Sequence, residues 1–349
     1  MIASRTTPPR SANPLPAAPT LEEVAERAGV SRSTASRAIN GGFKVSAAAQ
    51  AAVDAAVAEL GYTPNRAARS LVTRRTDSVA LVVPEPDETV LNDPYFAGTL
   101  RGLSEALDPA DIQLVLLMAR RGEESQRTTR YLLSRHVDGA VVVSHHSDDA
   151  LDQVLCESRL PCVFVGRPTS SAAHINYVDL DNEHGGRLAT EHLIAAGCTR
   201  IATIAGRLDM AAGVDRLAGW RSALQAAGMS DEAVFRGGFT SVGGAAATEE
   251  LLAAYPDVDG IFAASDLSAA GALNVLAHHG RKVPDDVRVV GFDDLGVATS
   301  TTPQLTTLRN PVVAMCRVAG ELLLEQLAGR TAPMEPRIFD VELILRESA

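Results

Sequence analysis

Apolar residues recur at helical spacing over residues 20–28, which predicts a first helix with one buried face. Thr20 and Glu23 have the spacing of a capping box, in which each side chain accepts a backbone N–H that the first helical turn leaves free. Gly29 then ends the helix, because glycine adopts the left-handed backbone conformation at low cost. The predicted buried face consists of Leu21, Val24, Ala25 and Ala28.

Two further helices are predicted after short connections. Ser31 is a favoured N-cap for a helix over residues 32–40, and Ser46 for a helix over 47–60 that ends at Gly61. Two short helices joined by a turn of about three residues that includes glycine form a helix-turn-helix. The predicted inward positions are Ala35, Ala38 and Ile39 in the second helix and Val53, Val57 and Leu60 in the third.

The start of the second helix is polar on its exposed side. In a helix-turn-helix, this part of the second helix meets base edges in the major groove of DNA. A small three-helix packing module is the alternative interpretation of the same pattern. The predicted base-reading residues are Arg32, Ser33, Ser36 and Arg37.

From residue 77 onwards, short apolar runs alternate with amphipathic segments. A run such as SVALVV is typical of a strand that is buried on both faces. Regular alternation of strands and helices predicts a parallel, doubly wound sheet. The alternation occurs in two series, so we predict two similar α/β halves with a cleft between them. The predicted strands lie in SVALVVPEP, IQLVLLMA, VDGAVVVS, PCVFVGRP, RIATIAG, VFRGGF, GIFAAS, VRVVGFDD, LTTLRN and FDVELILRES.

The chain resembles the lactose-repressor/galactose-repressor (LacI/GalR) family of bacterial transcription regulators. The resemblance runs without a gap through the helix-turn-helix and a Tyr-x-Pro-Asn segment, and strings such as VDLDNEHGGRLATEHLIAAG and VPDDVRVVGFDD extend it over almost all of the chain after residue 19. The matching head residues are Thr20-Leu21-x-x-Val24-Ala25-x-x-Ala28-Gly29-Val30-Ser31, Thr34-x-Ser36-Arg37-x-x-Asn40, Val45-Ser46, Leu60-Gly61-Tyr62-x-Pro64-Asn65 and Ala67-Ala68-x-Ser70-Leu71.

The resemblance implies an α/β fold with an N-terminal helix-turn-helix head, a hinge helix and two periplasmic-binding-protein-like doubly wound subdomains. Pro, Ser and Ala in the first residues predict a disordered tail. The expected boundaries are 1–19 for the tail, 20–64 for the DNA-binding head, 65–76 for the hinge, and 77–349 for an effector-binding and dimerisation domain. Within it, the N-subdomain is expected at about 77–177 plus 310–336 and the C-subdomain at about 178–309 plus 337–349.

The hinge is expected to form a helix over residues 66–72. A helix this short is marginal in water on its own, so we expect it to fold when two copies pair over DNA. Leu71 matches the family's wedge residue, which enters the minor groove; packing on the body as a linker is the alternative. The resemblance implies further DNA contacts at Thr34, Asn40, Asn65, Ala68 and Leu71.

Ligands in open α/β sheets bind outside the carboxyl ends of the strands. Polar and aromatic residues at those ends suit a polyhydroxyl ligand, because carboxylate and guanidinium groups can each hold two adjacent hydroxyls. The resemblance implies effector contacts at all of these candidates except Arg167 and Asp266. The candidates are Tyr95, Phe96, Arg167, Arg216, Phe239, Ser265, Asp266 and Asp293.

Some of these candidates have a structural alternative. Tyr95 and Phe96 could belong to the core or to a dimer interface, and Asp266 could be the N-cap of the helix that it begins. Met210 and Ala212 stand where some relatives carry hydrogen-bonding side chains, so the sequence leaves the identity of the effector open.

Charge separates the head from the body. The net charge of −11 argues against nucleic acid, but residues 1–76 hold ten Lys or Arg against five Asp or Glu, and the remainder holds 22 against 38. A basic head on an acidic body fits DNA contact at one end of the protein. The partners expected are a pseudopalindromic DNA operator, a sugar-like effector and a second copy of the chain; the chain lacks a leucine-heptad tail, which favours a dimer over a tetramer.

Enzyme motifs are missing from the sequence. It contains no GxSxG elbow, no Walker loop and no HExxH motif. The adjacent pairs His145–His146 and His278–His279 are predicted to be surface or turn residues, because neighbouring side chains diverge. We therefore expect no catalysis, no cofactor and no metal site.

Two other classes of protein would share the body fold. A solute-binding protein predicts a signal peptide and no hinge, whereas MIASRTTPPRSANPLPAAP has no apolar signal region. A sugar-modifying enzyme predicts a nucleophile or an acid–base pair. The four cysteines show no zinc spacing and are expected to be buried free thiols in a reducing cytoplasm. We therefore predict a cytoplasmic transcription regulator, with a repressor favoured.

Overall fold

A computed structural model describes residues 19–40, 45–63, 75–119, 123–147, 150–168, 176–330 and 335–349. The chain forms two compact units, one within residues 1–75 and one over 76–349. Nearly all of the expected tail and hinge, with Asn65, Ala68 and Leu71, lies outside the described residues.

The first unit contains the three predicted helices, at α1 (Leu21–Arg27), α2 (Arg32–Ile39) and α3 (Ala47–Leu60). The capping box of α1 is formed: the Glu23 N–H donates to Thr20 Oγ1 over 3.3 Å, and the Thr20 N–H donates to Glu23 Oε2 over 2.7 Å. Gly61 ends α3 in the left-handed conformation, with φ 62°.

Small apolar side chains make up the core of this head. Val24, Ala35 and Val53, one from each helix, are fully buried at its centre. The predicted inward residues Ile39, Val57 and Leu60 are only partly buried and pack against the rim of this cluster. A core built largely of alanine lets the helices approach closely, and the larger side chains then cover its edge.

A six-stranded parallel sheet forms the first lobe of the second unit, with strand order β11-β5-β4-β3-β1-β2. Alternate residues of its strands face two different apolar clusters, as a sheet covered on both faces requires. The strands are β1 (Ser78–Val83), β2 (Gln113–Met118), β3 (Gly139–Val143), β4 (Cys162–Val165), β5 (Asn176–Leu180) and β11 (Arg337–Phe339).

A four-stranded parallel sheet forms the second lobe, with strand order β7-β6-β8-β9. Two further strands pair antiparallel as a separate small sheet. The second-lobe strands are β6 (Ile201–Ala205), β7 (Val234–Arg236), β8 (Gly260–Ala263) and β9 (Arg288–Val290), and the antiparallel pair is β10 (Thr307–Arg309) and β12 (Glu342–Ile344).

Helices cover both lobes. In the first lobe α5 packs along α13, and in the second lobe α8 packs along α9 and α10 along α11. The helices described in the second unit are α4 (Asp87–Asn92), α5 (Pro94–Leu107), α6 (Glu123–Leu133), α7 (Ala150–Glu157), α8 (Asn182–Ala195), α9 (Ala211–Ala226), α10 (Ser241–Ala254), α11 (Asp266–His278), α12 (Val297–Ser300) and α13 (Val312–Leu327).

The structure contains a strand and a helix that were not predicted, and it divides one predicted strand into two. The strand β5 and the helix α4 were not predicted, because polar residues interrupt both segments. The segment FDVELILRES, predicted as one strand, is divided by Asp340: Phe339 ends a strand of the first sheet and Glu342 begins one of the antiparallel pair. The subdomain boundaries stay a prediction, but Arg337–Phe339 pairs with β5 of the first lobe rather than with the second.

The contact between α8 and α9 positions the start of α9. A methyl group on Gly219 would overlap the carbonyl oxygen of Glu183, and one on Gly186 would overlap that of Arg216. The two helices therefore approach through reciprocal glycines, which fixes the backbone at Arg216.

We predict that Gly219→Ala destabilises the protein by about 1–3 kcal/mol, because the added methyl group forces two packed backbones apart. Chemical denaturation followed by circular dichroism measures this, with Ser222→Ala on the exposed side of the same helix as the control. A Gly219→Ala protein as stable as the control would show that the approach of these helices is not tight.

Candidate functional site

The second helix of the head presents a polar surface. Arg32, Ser33, Arg37 and Asn40 are exposed, as a base-reading face requires, whereas Thr34 and Ser36 are partly buried. Ser31 caps the helix by accepting the N–H of Thr34. The last described residue before a gap is Asn40, so the structure shows the helix and its cap but not the turn that follows.

Contacts within the head hold these side chains in place. Arg32 Nε lies 2.5 Å from Glu22 Oε1, and Arg37 Nε donates to the carbonyl of Ser33 over 3.2 Å. The Arg32–Glu22 pair is exposed on both sides, and exposed pairs contribute only about 0–1 kcal/mol. A phosphate or a guanine edge can therefore displace the carboxylate.

A cavity lies between the two lobes of the second unit, at the carboxyl ends of their strands. Six of the eight predicted effector contacts line it, and Ser265 and Asp266 are not among its lining residues. The predicted residues that line the cavity are Tyr95, Phe96, Arg167, Arg216, Phe239 and Asp293.

Arg216 is fixed in position by four groups. Its Nε donates to Asn182 Oδ1 over 2.9 Å and one terminal nitrogen donates to the carbonyl of Ala264 over 2.6 Å. The guanidinium carbon lies 3.5 Å from the ring centre of Phe292, and Nη2 lies 3.5 Å from Asp293 Oδ1. Burial lowers the pKa of Arg216, and the charge of Asp293 opposes that shift.

Asp293 stands in an unusual backbone conformation. Its φ of 121° lies in a region that side chains other than glycine rarely adopt, and such strain concentrates at functional sites. Asn310 Nδ2 donates to Asp293 Oδ1 over 3.3 Å. Burial raises the pKa of Asp293 above its usual range, and the charge of the nearby Arg216 offsets part of that rise.

Ser265 and Asp266 shape the turn that carries Asp293. Ser265 is the N-cap of α11, and the buried Asp266 accepts the Thr307 hydroxyl over 2.6 Å and the Asp294 N–H over 2.8 Å. Burial raises the pKa of Asp266 to about 8. The prediction of Ser265 and Asp266 as effector contacts is therefore not supported by this geometry, which assigns their polar atoms to the protein itself.

Several polar residues of the cavity were not predicted. Asp93 caps α5 by accepting the Tyr95 N–H over 2.9 Å, and burial raises the pKa of Asp93 to about 6. Asp179 accepts the N–H of Arg167 over 3.0 Å, and burial raises its pKa as well. The pair Asp93–Pro94 had the sequence signature of a helix start, but nothing marked that start as facing the cleft. The unpredicted polar lining residues are Glu85, Thr89, Asp93, Ser144, His145, Asp179, Asn182, Arg207, Thr240 and Asn310.

The prediction for the first histidine pair is wrong. His145 and His146 are buried, and His145 lines the cavity, because the chain turns inward directly after β3. His146 lies between two carboxylates, with Nε2 3.0 Å from Glu85 Oε1 and Nδ1 3.2 Å from Asp209 Oδ2. His278 and His279 are exposed at the end of α11, as predicted.

Aromatic and apolar side chains complete the cavity wall. Phe96 lines it and is also part of the hydrophobic core, so the effector and core interpretations both apply to this residue. Tyr95 packs edge-on against Phe96, with ring centres 5.4 Å apart. Met210 and Ala212 line the wall as apolar surface. Carboxylates, guanidinium groups and ring faces together can bind hydroxyl groups and cover the C–H faces between them.

Three of the four cysteines, Cys162, Cys198 and Cys316, are free thiols. Cys198 and Cys316 are buried as predicted, whereas Cys162 is half-buried. Within the described part of the chain there is no group of three or more His, Cys, Asp or Glu that could hold a metal ion. The described helices include none that is long and apolar enough to span a bilayer.

Comparisons with known proteins cover both units. Residues 20–65 match the bacterial regulatory proteins of the lacI family, and residues 190–349 match the periplasmic binding protein-like domain. The HTH-type transcriptional regulator CelR of Thermobifida fusca is 49% identical over 333 residues, which cover 95% of this chain and 98% of CelR. The HTH-type transcriptional regulator GalR of Escherichia coli (strain K12) is 32% identical over 331 residues, which cover 94% of this chain and 95% of GalR.

Solved structures agree with these sequence matches. The CelR–cellobiose complex has a TM-score of 0.77 and 46% identity, and the comparison covers 95% of this chain and all of that one. A lac repressor dimer bound to operator and the anti-inducer ONPF has a TM-score of 0.84 and 28% identity, and the comparison covers 94% of this chain and 98% of that one. The match to CelR over nearly the full length of both proteins shows that this chain belongs to the lacI family of DNA-binding transcription regulators.

Proposed function

We propose that the protein is a homodimeric repressor that binds a pseudopalindromic operator through its heads and releases it when a neutral sugar fills the cavity. The observation that carries the proposal is the Arg216–Asp293 pair at the cavity wall, rigidly supported beside Phe239. The relative CelR has been solved with cellobiose, so a glucose disaccharide is the first effector to test.

The charges of the cavity support a neutral ligand. Arg216 is engaged by Asn182, Ala264 and Asp293, and Arg167 lies 2.6 Å and 2.7 Å from the two carboxylate oxygens of Asp215. The charges of these guanidinium groups are already neutralised by the protein. An acidic sugar would therefore add negative charge to a wall that also contains carboxylates, and the two would repel each other. Hydroxyl groups can instead donate to those carboxylates without a change in net charge.

The DNA-binding part of the proposal rests on the exposed face of α2. Arg32, Ser33 and Arg37 would read base edges, and Asn65, Ala68 and Leu71 would contact the operator from the hinge. We also propose that the protein acts in the cytoplasm, where DNA is accessible, and that it performs no catalysis.

We predict that Arg32→Ala relaxes the sequence preference at one position of each half-site. A guanidinium paired with guanine contributes about 1–3 kcal/mol of discrimination between bases. Binding to a library of half-site variants measures this, with Arg27→Ala on α1 as the control. A uniform loss of affinity across all sequences would instead identify Arg32 as a phosphate contact.

We predict that Asp293→Asn weakens cellobiose binding about tenfold or more and leaves operator affinity nearly unchanged. The substitution replaces a carboxylate that accepts sugar hydroxyls by a neutral amide, and a hydrogen bond to a charged group contributes about 1.5–3 kcal/mol. Calorimetry with cellobiose and fluorescence anisotropy with operator DNA give the two affinities. An unchanged response to a sugar that binds the wild type would exclude Asp293 from the site.

We predict that cellobiose affinity falls as the pH is lowered through about 6. Burial raises the pKa of Asp93 to about 6, and a sugar hydroxyl donates to the charged carboxylate, so protonation competes with binding. The fall approaches tenfold per pH unit below the pKa. Asp93→Asn should bind weakly with a flattened profile between pH 5 and pH 7; a profile as steep as that of the wild type would rule out Asp93.

A further inference from the structure

Two sets of contacts join the lobes outside the ligand-binding groups. In the first, Arg167, which follows β4 of the first lobe, places Nη2 2.6 Å and 2.7 Å from the two carboxylate oxygens of Asp215. Asp215 lies in the first turns of α9 in the second lobe. Asp215 is not among the residues that line the cavity.

The second set involves residues that follow β3, the strand next to β4 in the sheet. The Ser147 N–H donates to the carbonyl of Asp209 over 2.7 Å, and His146 Nδ1 lies 3.2 Å from Asp209 Oδ2. Ser147 and His146 follow β3 of the first lobe, and Asp209 follows β6 of the second. His146 is held on its other side by Glu85, so the imidazole is anchored within the first lobe.

Both sets converge on one short segment of the second lobe. Asp209 and Asp215 stand six positions apart in the sequence, and they engage residues that follow the adjacent strands β3 and β4. Arg216, which binds to Asp293 in the cavity wall, follows Asp215 directly. A movement that opens the cleft must therefore break both sets of contacts.

We propose that residues 209–215 form an interlobe latch, in which Asp215 with Arg167 and Asp209 with Ser147 hold the cleft closed over the bound ligand. The inference rests on the proposed function, because that function places a sugar in the cavity. Asp215 is then a positioning residue, since it acts through closure and not through contact with the sugar. Arg167, predicted as an effector contact, acts mainly as the other half of this latch.

A latch of this kind changes the rate of ligand release. Closure is an equilibrium between two arrangements, and an interaction present only in the closed one shifts the populations by its free energy. The Arg167–Asp215 pair is about half exposed on the arginine side, so its effect is moderate and weakens with salt.

The first test measures cellobiose release from the full-length protein by stopped flow. Asp215→Asn should release the sugar about three- to tenfold faster at low salt, with less difference from the wild type at high salt. Asp215→Glu keeps the carboxylate and should restore most of the slow release. Glu321→Gln removes an ion pair inside α13 whose arginine, Arg317, is as exposed as Arg167, and it is the control.

The second test needs no sugar. The Ser147 N–H bond to Asp209 crosses the cleft, so hydrogen exchange at Ser147 reports latch opening, whereas the Gly166 N–H bonds to Val178 within the first lobe. Asp215→Asn should speed exchange at Ser147 about three- to tenfold and leave Gly166 unchanged.

The outcomes separate the two proposals. Faster exchange at Ser147 in a protein that does not bind cellobiose would support the latch and contradict the proposed effector. Cellobiose binding with unchanged release and unchanged Ser147 exchange in Asp215→Asn would overturn the latch and leave the proposed function intact. Equal acceleration at Ser147 and Gly166 would also overturn it, because that pattern reports loss of the fold and not opening of the cleft.

Discussion

The burial of one guanidinium group organises the body of this protein. Arg216 is 5% exposed, and a charge in that position is tolerated only where hydrogen bonds and an opposite charge replace water. Asn182 at the start of α8, Ala264 after β8, and Phe292 and Asp293 after β9 supply those contacts. The close approach of α8 and α9, the helix start at Ser265 and the strained turn at Asp293 all serve to bring these groups together.

Because its partners are fixed, the Arg216–Asp293 pair can act as a preorganised contact for hydroxyl groups. A ligand that binds such a wall gains hydrogen bonds without first ordering the side chains, so little affinity is lost to rearrangement. The same ligand can control the head only if it binds one arrangement of the lobes better than another. In the proposed latch, the contacts of Asp209 and Asp215 between the lobes are present only in the closed arrangement, and they would provide that difference for any sugar that fits the cavity.

Sequence patterns predicted the three helices of the head and the parallel sheets well, since helix caps and buried strands depend on local spacing. They also placed Arg216 and Asp293 at the cleft, where both line the cavity, because the ends of parallel strands share one edge of a sheet; their contact with an effector stays a prediction. They did not distinguish Asp266, whose carboxylate is used by the fold, from Asp293, whose carboxylate faces the cavity: both are acidic residues after apolar strands. His146 and Asp93 were missed for a related reason, because their surroundings come from strands and helices distant in the sequence.

Under the proposed function, sugar binding in the cavity and operator binding by the head are coupled. Coupling of two binding sites is reciprocal, so each ligand must change the affinity of the other by the same factor. The direct measurement is the cellobiose dissociation constant of the free protein and of the protein saturated with a selected operator, by calorimetry. Cellobiose should bind more weakly to the operator complex, by the factor with which cellobiose weakens operator binding; equal cellobiose affinities in the two states would show that the sites are not coupled.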